Sequence, residues 1–335
     1  MVFTAPVLNY ALLAPILILL GGALIGVLIE AFGPRASRHN SQLFITVASI
    51  IVALSALLRV RNQTSAAAAM GSVAFDGAGV LLQGTILVIA LISVFLIADQ
   101  ESFTASGSAV PGSDEERESF QADTRVTEVF PLTLFAVAGM LLFPLASDLI
   151  TLFVALEMLS LPLYLMSGLS RRRRLQSQEA ALKYFLLGAF SSAFFLFGAA
   201  YLYGYSGSVT FSGIQAAVVG GSGNDVFLLM GIAFISVGLL FKVGAFPFHA
   251  WSPDVYQGAP TAVTGFMAAA TKVAAFGAIL RIFYVSFANA EWEWRPALII
   301  IAITTMVFGS LVAIAQKDVK RMLAYSSIAH AGFLL

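Results

Sequence analysis

The 335-residue chain has no cysteine, and that absence excludes disulfides, thiolate metal centres and iron–sulfur clusters held by this polypeptide. Charge is scarce as well: Asp, Glu, Lys and Arg make up 11% of the residues, against about 25% in an ordinary soluble domain. The 18 basic and 18 acidic side chains balance, so no basic excess exists to hold nucleic acid. The N-terminus, MVFTAPVLNY, lacks the basic n-region of a secretory signal, and the first apolar stretch reads as a retained helix. No Gly-rich strand–turn–helix unit is present to cradle a nicotinamide or flavin phosphate. Histidine is limited to three residues.

What is abundant is apolar surface, at 59% of the residues. A core of this length cannot hide so much from water, so lipid must cover it. Apolar stretches of about 20 residues suit a hydrocarbon core of about 30 Å. Spans read near residues 8–30, 43–59, 79–98, 128–146, 148–169, 179–204, 226–246, 260–285 and 296–315, and a tenth begins near Arg321 and runs to Leu335. The expectation is an all-α polytopic membrane protein with about ten transmembrane helices. The insert at 99–127, with SGSAVPGSDEERES at its centre, is rich in Ser, Gly and acidic residues and reads as a mobile loop.

Lys and Arg concentrate on alternate connections, and that bias sets orientation. One set holds Arg35, Arg38, Arg117, Arg125, Arg171 to Arg174, Lys317, Lys320 and Arg321, eleven residues in all. The opposite set holds four: Arg59, Arg61, Arg281 and Arg295. The richer side, including the Arg171–Arg174 loop, is predicted to be cytoplasmic, which puts the N-terminus outside. Only Lys183, Lys242 and Lys272 complete the total.

Those three lysines and Glu157 lie inside four consecutive spans. A charge at bilayer depth costs roughly 2.5–3.5 kcal/mol on insertion scales, so four in succession point to a path for ions or protons. Glu157 is mid-span in DLITLFVALEMLSLPLYLMSGL. It reads either as a protonated carboxyl satisfied by a neighbouring helix or as a carboxylate tied to a nearby cation. Lys183 follows Glu179 by one turn near a span end, where a snorkelling lysine or a plain helix salt bridge would also account for it. Lys242 stands where an apolar run meets Gly244, Pro247, Pro253, Gly258 and Pro260. Prolines break helices, and broken helices at membrane depth are an ion-site device in transporters. The rival is a kinked helix with a snorkelling lysine. His249, seven residues on, would share a face with Lys242 if the helix resumed. Lys272 is about eleven positions from either end of its span, among Ala, Gly and Thr, where snorkelling is least plausible. His330, in RMLAYSSIAHAGFLL, reads equally as a hydrogen-bonded structural histidine or as a proton carrier.

The stretches FKVGAFPFHAWSPDVYQGAPTAVTGFMAAATKVAAF and QKDVKRMLAYSSIAHAGF, with LITLFVALEMLSLPLYLM and EAALKYFLLGAFSSAFFLFGAAYLYG, resemble subunit N of bacterial proton-pumping NADH:quinone oxidoreductase (respiratory complex I). That family is one of three antiporter-like subunits related to those of multi-component cation/proton antiporters. The resemblance runs from about residue 125 to the end. The first three spans match only in general character.

The resemblance implies an N-terminal three-helix segment over 1–98, a cytoplasmic loop over 99–127 and the first of two five-helix inverted repeats over 128–285, with its broken helix. Residues 286–335 would start the second repeat, which is mostly missing from this chain. Glu157, Lys183, Lys242, His249, Lys272 and His330 match the family's proton-transfer residues. Lys242 is the implied proton holder, Glu157 its modulator and Lys272 the relay toward the membrane centre. The implied activity is proton translocation in a bacterial plasma membrane, coupled to quinone reduction elsewhere. The chain is then a non-redox part of an enzyme, without cofactor or metal. FMN, iron–sulfur clusters and quinone would sit in partner subunits, and the partners would be other complex I membrane subunits, antiporter-like ones above all, and the lipid bilayer. An alternative with the same helices and charges is a subunit of a multi-component Na⁺/H⁺ antiporter. A further one is a structural spacer whose buried charges form inert pairs.

Overall fold

Most of these stretches are apolar on every face, so end signals more than amphipathic stripes delimit the helices. Asp76 accepts the Gly79 amide at 2.7 Å, Asp148 the Thr151 amide at 2.7 Å, Asn224 the Val226 amide at 2.9 Å and Asp318 the Arg321 amide at 3.0 Å. Each carboxylate or amide satisfies a donor that the first helical turn leaves free. The computed structural model describes residues 8–63, 66–99, 103, 114, 126–170, 174–221 and 223–335.

The helices are α1 (Tyr10–Phe32), α2 (Arg35–Val60), α3 (Gly77–Ala98), α4 (Val129–Leu142), α5 (Leu149–Ser167) and α6 (Arg174–Ser206). They continue with α7 (Phe211–Gly220), α8 (Asp225–Val243), α9 (Trp251–Gly258), α10 (Thr261–Val285), α11 (Glu291–Ile314) and α12 (Val319–Leu334). Among the described residues eight helices are long and apolar enough to cross a membrane. The fourth and tenth expected spans are also helical, as α4 with its 3₁₀ extension through Leu145 and as α12, but both are shorter. Large apolar side chains such as Leu24, Phe44, Phe95, Leu165, Phe197 and Ile300 stay exposed, which suits lipid and not water.

Helices adjacent in sequence pack together: α1 on α2, α4 on α5 and α11 on α12. The short α7 intervenes between α6 and α8, which lie against each other. At one end of the bundle the connections are zipped together by backbone. A two-stranded antiparallel hairpin, β1 (Ala66–Ala68) with β2 (Val73–Phe75), is followed by bridges from Val73 to Ala146 and from Asp148 to Thr210. Neither this hairpin nor α7 is foreseen by the hydropathy pattern. The 99–127 insert lies almost entirely outside the described residues.

Candidate functional site

α8 ends one residue after Lys242. Gly244 closes it with φ +74°, a left-handed backbone that a side chain would strain, and the Phe246–Pro247 peptide is cis. The chain resumes as α9, eight residues long. The expected broken helix is present, and its geometry corrects one expectation. His249 shares no helical face with Lys242, because it sits in the break between α8 and α9. Its ring stacks on Phe246 at 5.5 Å and faces Phe308 at 4.8 Å.

Lys242 is 3% exposed. Its ammonium donates to the Ser160 hydroxyl at 2.6 Å and, more weakly, to the Tyr164 hydroxyl at 3.4 Å. It lies 5.4 Å and 5.8 Å from the ring centres of Tyr164 and Tyr184, within cation–π range. Among the described residues it makes no ion pair. Glu157 does not touch it: the carboxylate accepts from the Ser192 hydroxyl of α6. Glu157 is nonetheless near enough for a through-space charge interaction with Lys242. The reason is spacing. Ser160 follows Glu157 by three positions on α5, so a hydroxyl takes the place where a direct pair would form.

Lys272 begins the regular part of α10 after a π-helical turn over Met267–Thr271. Such turns in helices are frequent at functional sites. Its ammonium donates to the Ser327 carbonyl and to the Ser327 hydroxyl, the latter at 2.5 Å. His330, one turn further along α12, is exposed and its Nδ1 lies 2.8 Å from the Ser326 carbonyl. Lys272 and His330 therefore approach the same stretch of α12.

Lys183 does make the expected pair with Glu179, at 2.7 Å. It also makes one not expected, with Asp254 of α9 at 2.7 Å. The other Asp254 oxygen takes Arg321 of α12, again at 2.7 Å. Arg321 further donates to Gln257 at 3.1 Å, and Lys320 donates to the Ala259 carbonyl at 2.9 Å. These two basic residues hold α9 and the residue that follows it. Burial acts to raise the Asp254 carboxyl, but hydrogen bonds from Lys183 and Arg321 outweigh it and hold it below the ordinary carboxylate range.

Asp254, Ser160, Tyr164 and Ser327 escape a reading that looks for charges inside apolar runs. Asp254 stands between two helix halves, and a hydroxyl is never out of place in a membrane helix. Only the i,i+3 spacing of Glu157 and Ser160 carried a signal.

The residues from 146 to 335 match the family model for the transmembrane domain of NADH:quinone oxidoreductase and Mrp antiporters. NADH-quinone oxidoreductase subunit N 3 of Streptomyces griseus is 52% identical over 361 aligned residues, which take in 99% of this chain and 65% of that protein. The chain thus spans about 65% of the length of that curated relative. A chain of Thermus thermophilus respiratory complex I, solved with bound aureothin, superposes with a TM-score of 0.75 at 35% identity, covering 95% of this chain and 62% of that one. A chain of the Mrp complex from Dietzia sp. shares the fold, with a TM-score of 0.77 at 22% identity over 97% of this chain and 58% of its own. With its broken helix and the buried Lys242 lying inside the matched segment, this multi-pass membrane chain belongs to the NADH:quinone oxidoreductase/Mrp antiporter transmembrane family.

Proposed function

We propose that the chain translocates protons across the bacterial plasma membrane as part of a subunit N of NADH:quinone oxidoreductase, and does no redox chemistry itself. The observation that carries this reading is Lys242, a buried ammonium at a helix break whose polar partners are hydroxyls. A lysine locked to a carboxylate keeps its proton; one held by Ser160 and Tyr164 has partners that both donate and accept, so a proton can leave along hydroxyls and water. Lys272, held by Ser327 on the other side of the packed α8 and α10, is the next acceptor. Glu157 acts on Lys242 through space, and a change in its charge changes the balance at the ammonium. Lys183 serves the same path from the end where α6 begins, and His249 and His330 flank it.

In this reading 128–285 is the first antiporter-like repeat, preceded by the three helices of 1–98 and the cytoplasmic loop of 99–127, and 286–335 opens the second. The Arg174 end of α6 faces the cytoplasm and the N-terminus the outside, by the Lys and Arg bias. Flavin, iron–sulfur centres and quinone belong to partner subunits, and neighbouring antiporter-like subunits pack beside this one. That the relatives more than half identical to this chain are subunit N proteins favours this over a cation antiporter, with which the likeness is one of fold.

The test is the Lys242→Met variant in inverted membrane vesicles of a host assembling the whole complex. NADH-driven acidification should fall by the share of this unit while the complex stays intact on a native gel. Undiminished pumping would defeat the reading. Acidification that follows an imposed sodium gradient and not NADH would move the chain to cation exchange.

A further inference from the structure

We propose that Asp254 is a positioning residue that latches α9 closed over Lys242, with the Trp251–Tyr184 stack as the barrier between a polar cavity and that ammonium. The inference rests on the reading of Lys242 as proton carrier.

A helix of eight residues has little stability of its own, so tertiary contacts fix where α9 sits. Asp254 supplies two of them, one oxygen to Lys183 on α6 and the other to Arg321 on α12. Beside these ion pairs lies a cavity of about 300 Å³, lined among others by Gln176, Glu179, Lys183, Asp254, Gln257 and Arg321. At about 30 Å³ of liquid volume per water it has room for several molecules. Most of its lining side chains offer donors or acceptors, with Ala180 and Gly258 between them.

The cavity stops short of Lys242. Tyr184, next to Lys183 in sequence, stacks face to face on Trp251, one turn before Asp254, with centroids 4.6 Å apart and planes 7° from parallel. The two residues are 1% and 4% exposed. Trp251 spends its one N–H on the Phe241 carbonyl at 2.8 Å, so its ring offers no further polar group to pass a proton. Tyr184 in turn lies 5.8 Å from the Lys242 ammonium. Lys183 and Asp254 thus hold together the two segments that carry the barrier.

The same cluster contains the means of release. With its carboxyl held low, Asp254 stays ionised near neutral pH, so protonation does not open the latch. Lys183, however, already contacts a second carboxylate, Glu179, at the same 2.7 Å. It can leave Asp254 and still keep one ion pair, which frees α9 from α6 while Arg321 holds it to α12, so that Trp251 can part from Tyr184.

The test uses the assembled complex in inverted vesicles, without NADH, and follows the decay of an imposed pH gradient. Asp254→Asn should quicken the decay several-fold, and Asp254→Asn combined with Lys242→Met should restore the original rate. An unchanged decay in Asp254→Asn overturns the latch. So does a decay that stays fast in the double variant, which would mean a leak through loosened packing and not through Lys242. If Asp254→Asn does not assemble, Glu179→Gln decides: this exposed carboxylate removes the alternative partner of Lys183, and NADH-driven acidification should slow several-fold with no added leak. Undiminished acidification there overturns the proposal. Failure of the latch alone leaves the loss of pumping in Lys242→Met intact, so the two readings fail separately.

Discussion

At the scale of single residues, Lys242 shows what a buried cation needs. An unpaired ammonium in an apolar interior would be strongly disfavoured, and here hydroxyls and aromatic faces meet the need without a carboxylate. The two hydroxyls are not equal: Ser160 lies at 2.6 Å and Tyr164 at 3.4 Å, the latter beyond a good hydrogen bond. A hydrogen bond to a charged group is worth about 1.5–3 kcal/mol, or roughly tenfold to a hundredfold in rate. Ser160→Ala should therefore cut proton flux by about tenfold or more in NADH-energised vesicles, with Tyr164→Phe affecting it less. A larger loss in Tyr164→Phe would show that the serine is not the main partner.

At the scale of elements, α9 matters because it is short and closely packed. A Cβ on Gly258 would come within 2.5 Å of the Gln176 backbone oxygen and 2.7 Å of the Ala180 Cβ. Backbone cannot swing aside as a side chain can, so Gly258→Ala must push α9 away from α6. Overpacking of this kind costs about 1–3 kcal/mol. The variant should melt earlier in detergent and stretch the Lys183–Asp254 pair. Gly265, in α10, has nothing within 4 Å of its would-be Cβ, and Gly265→Ala should leave the melting point unchanged or raise it. Equal melting of both variants would show that α9 is not wedged against α6.

At the scale of the whole molecule, the two ends of the bundle differ. One is closed by the hairpin and its backbone bridges and by an ion pair joining distant parts of the chain: Arg281 of α10 donates to Asp76 at 2.7 Å and also to the Pro144 carbonyl. Asp76 also caps α3. The other end is held by the Asp254 cluster around its cavity. Asp76→Asn keeps the cap and weakens a pair that, with Asp76 38% exposed, is worth up to about 1 kcal/mol. Asp76→Ala loses the cap too, about 1 kcal/mol more. Thermal melting should thus rank wild type, then Asn, then Ala; Asn and Ala melting together would remove the cap from the account.

Membrane residence, the helical class and the ten apolar stretches were legible in the sequence, because lipid demands apolar length and length is a property of the chain alone. The break after Lys242 was legible for the same kind of reason, since glycine and proline act on their own backbone. The unusual placement of Glu157, Lys183, Lys242 and Lys272 was legible because charge is costly in that setting. What those charges touch was not, apart from the one-turn pair of Lys183 with Glu179. Ser160 and not Glu157 meets Lys242, Ser327 meets Lys272, and Asp254 joins α6 to α12, in every case across helices far apart in sequence. A hydroxyl or a lone carboxylate acquires its meaning from the neighbour that packing brings to it. The sequence by itself determined that this chain lives in a membrane and carries charges there; only the tertiary structure decided which groups on other helices hold those charges, because hydrogen bonds reach about 3 Å and nothing local fixes distances across helices.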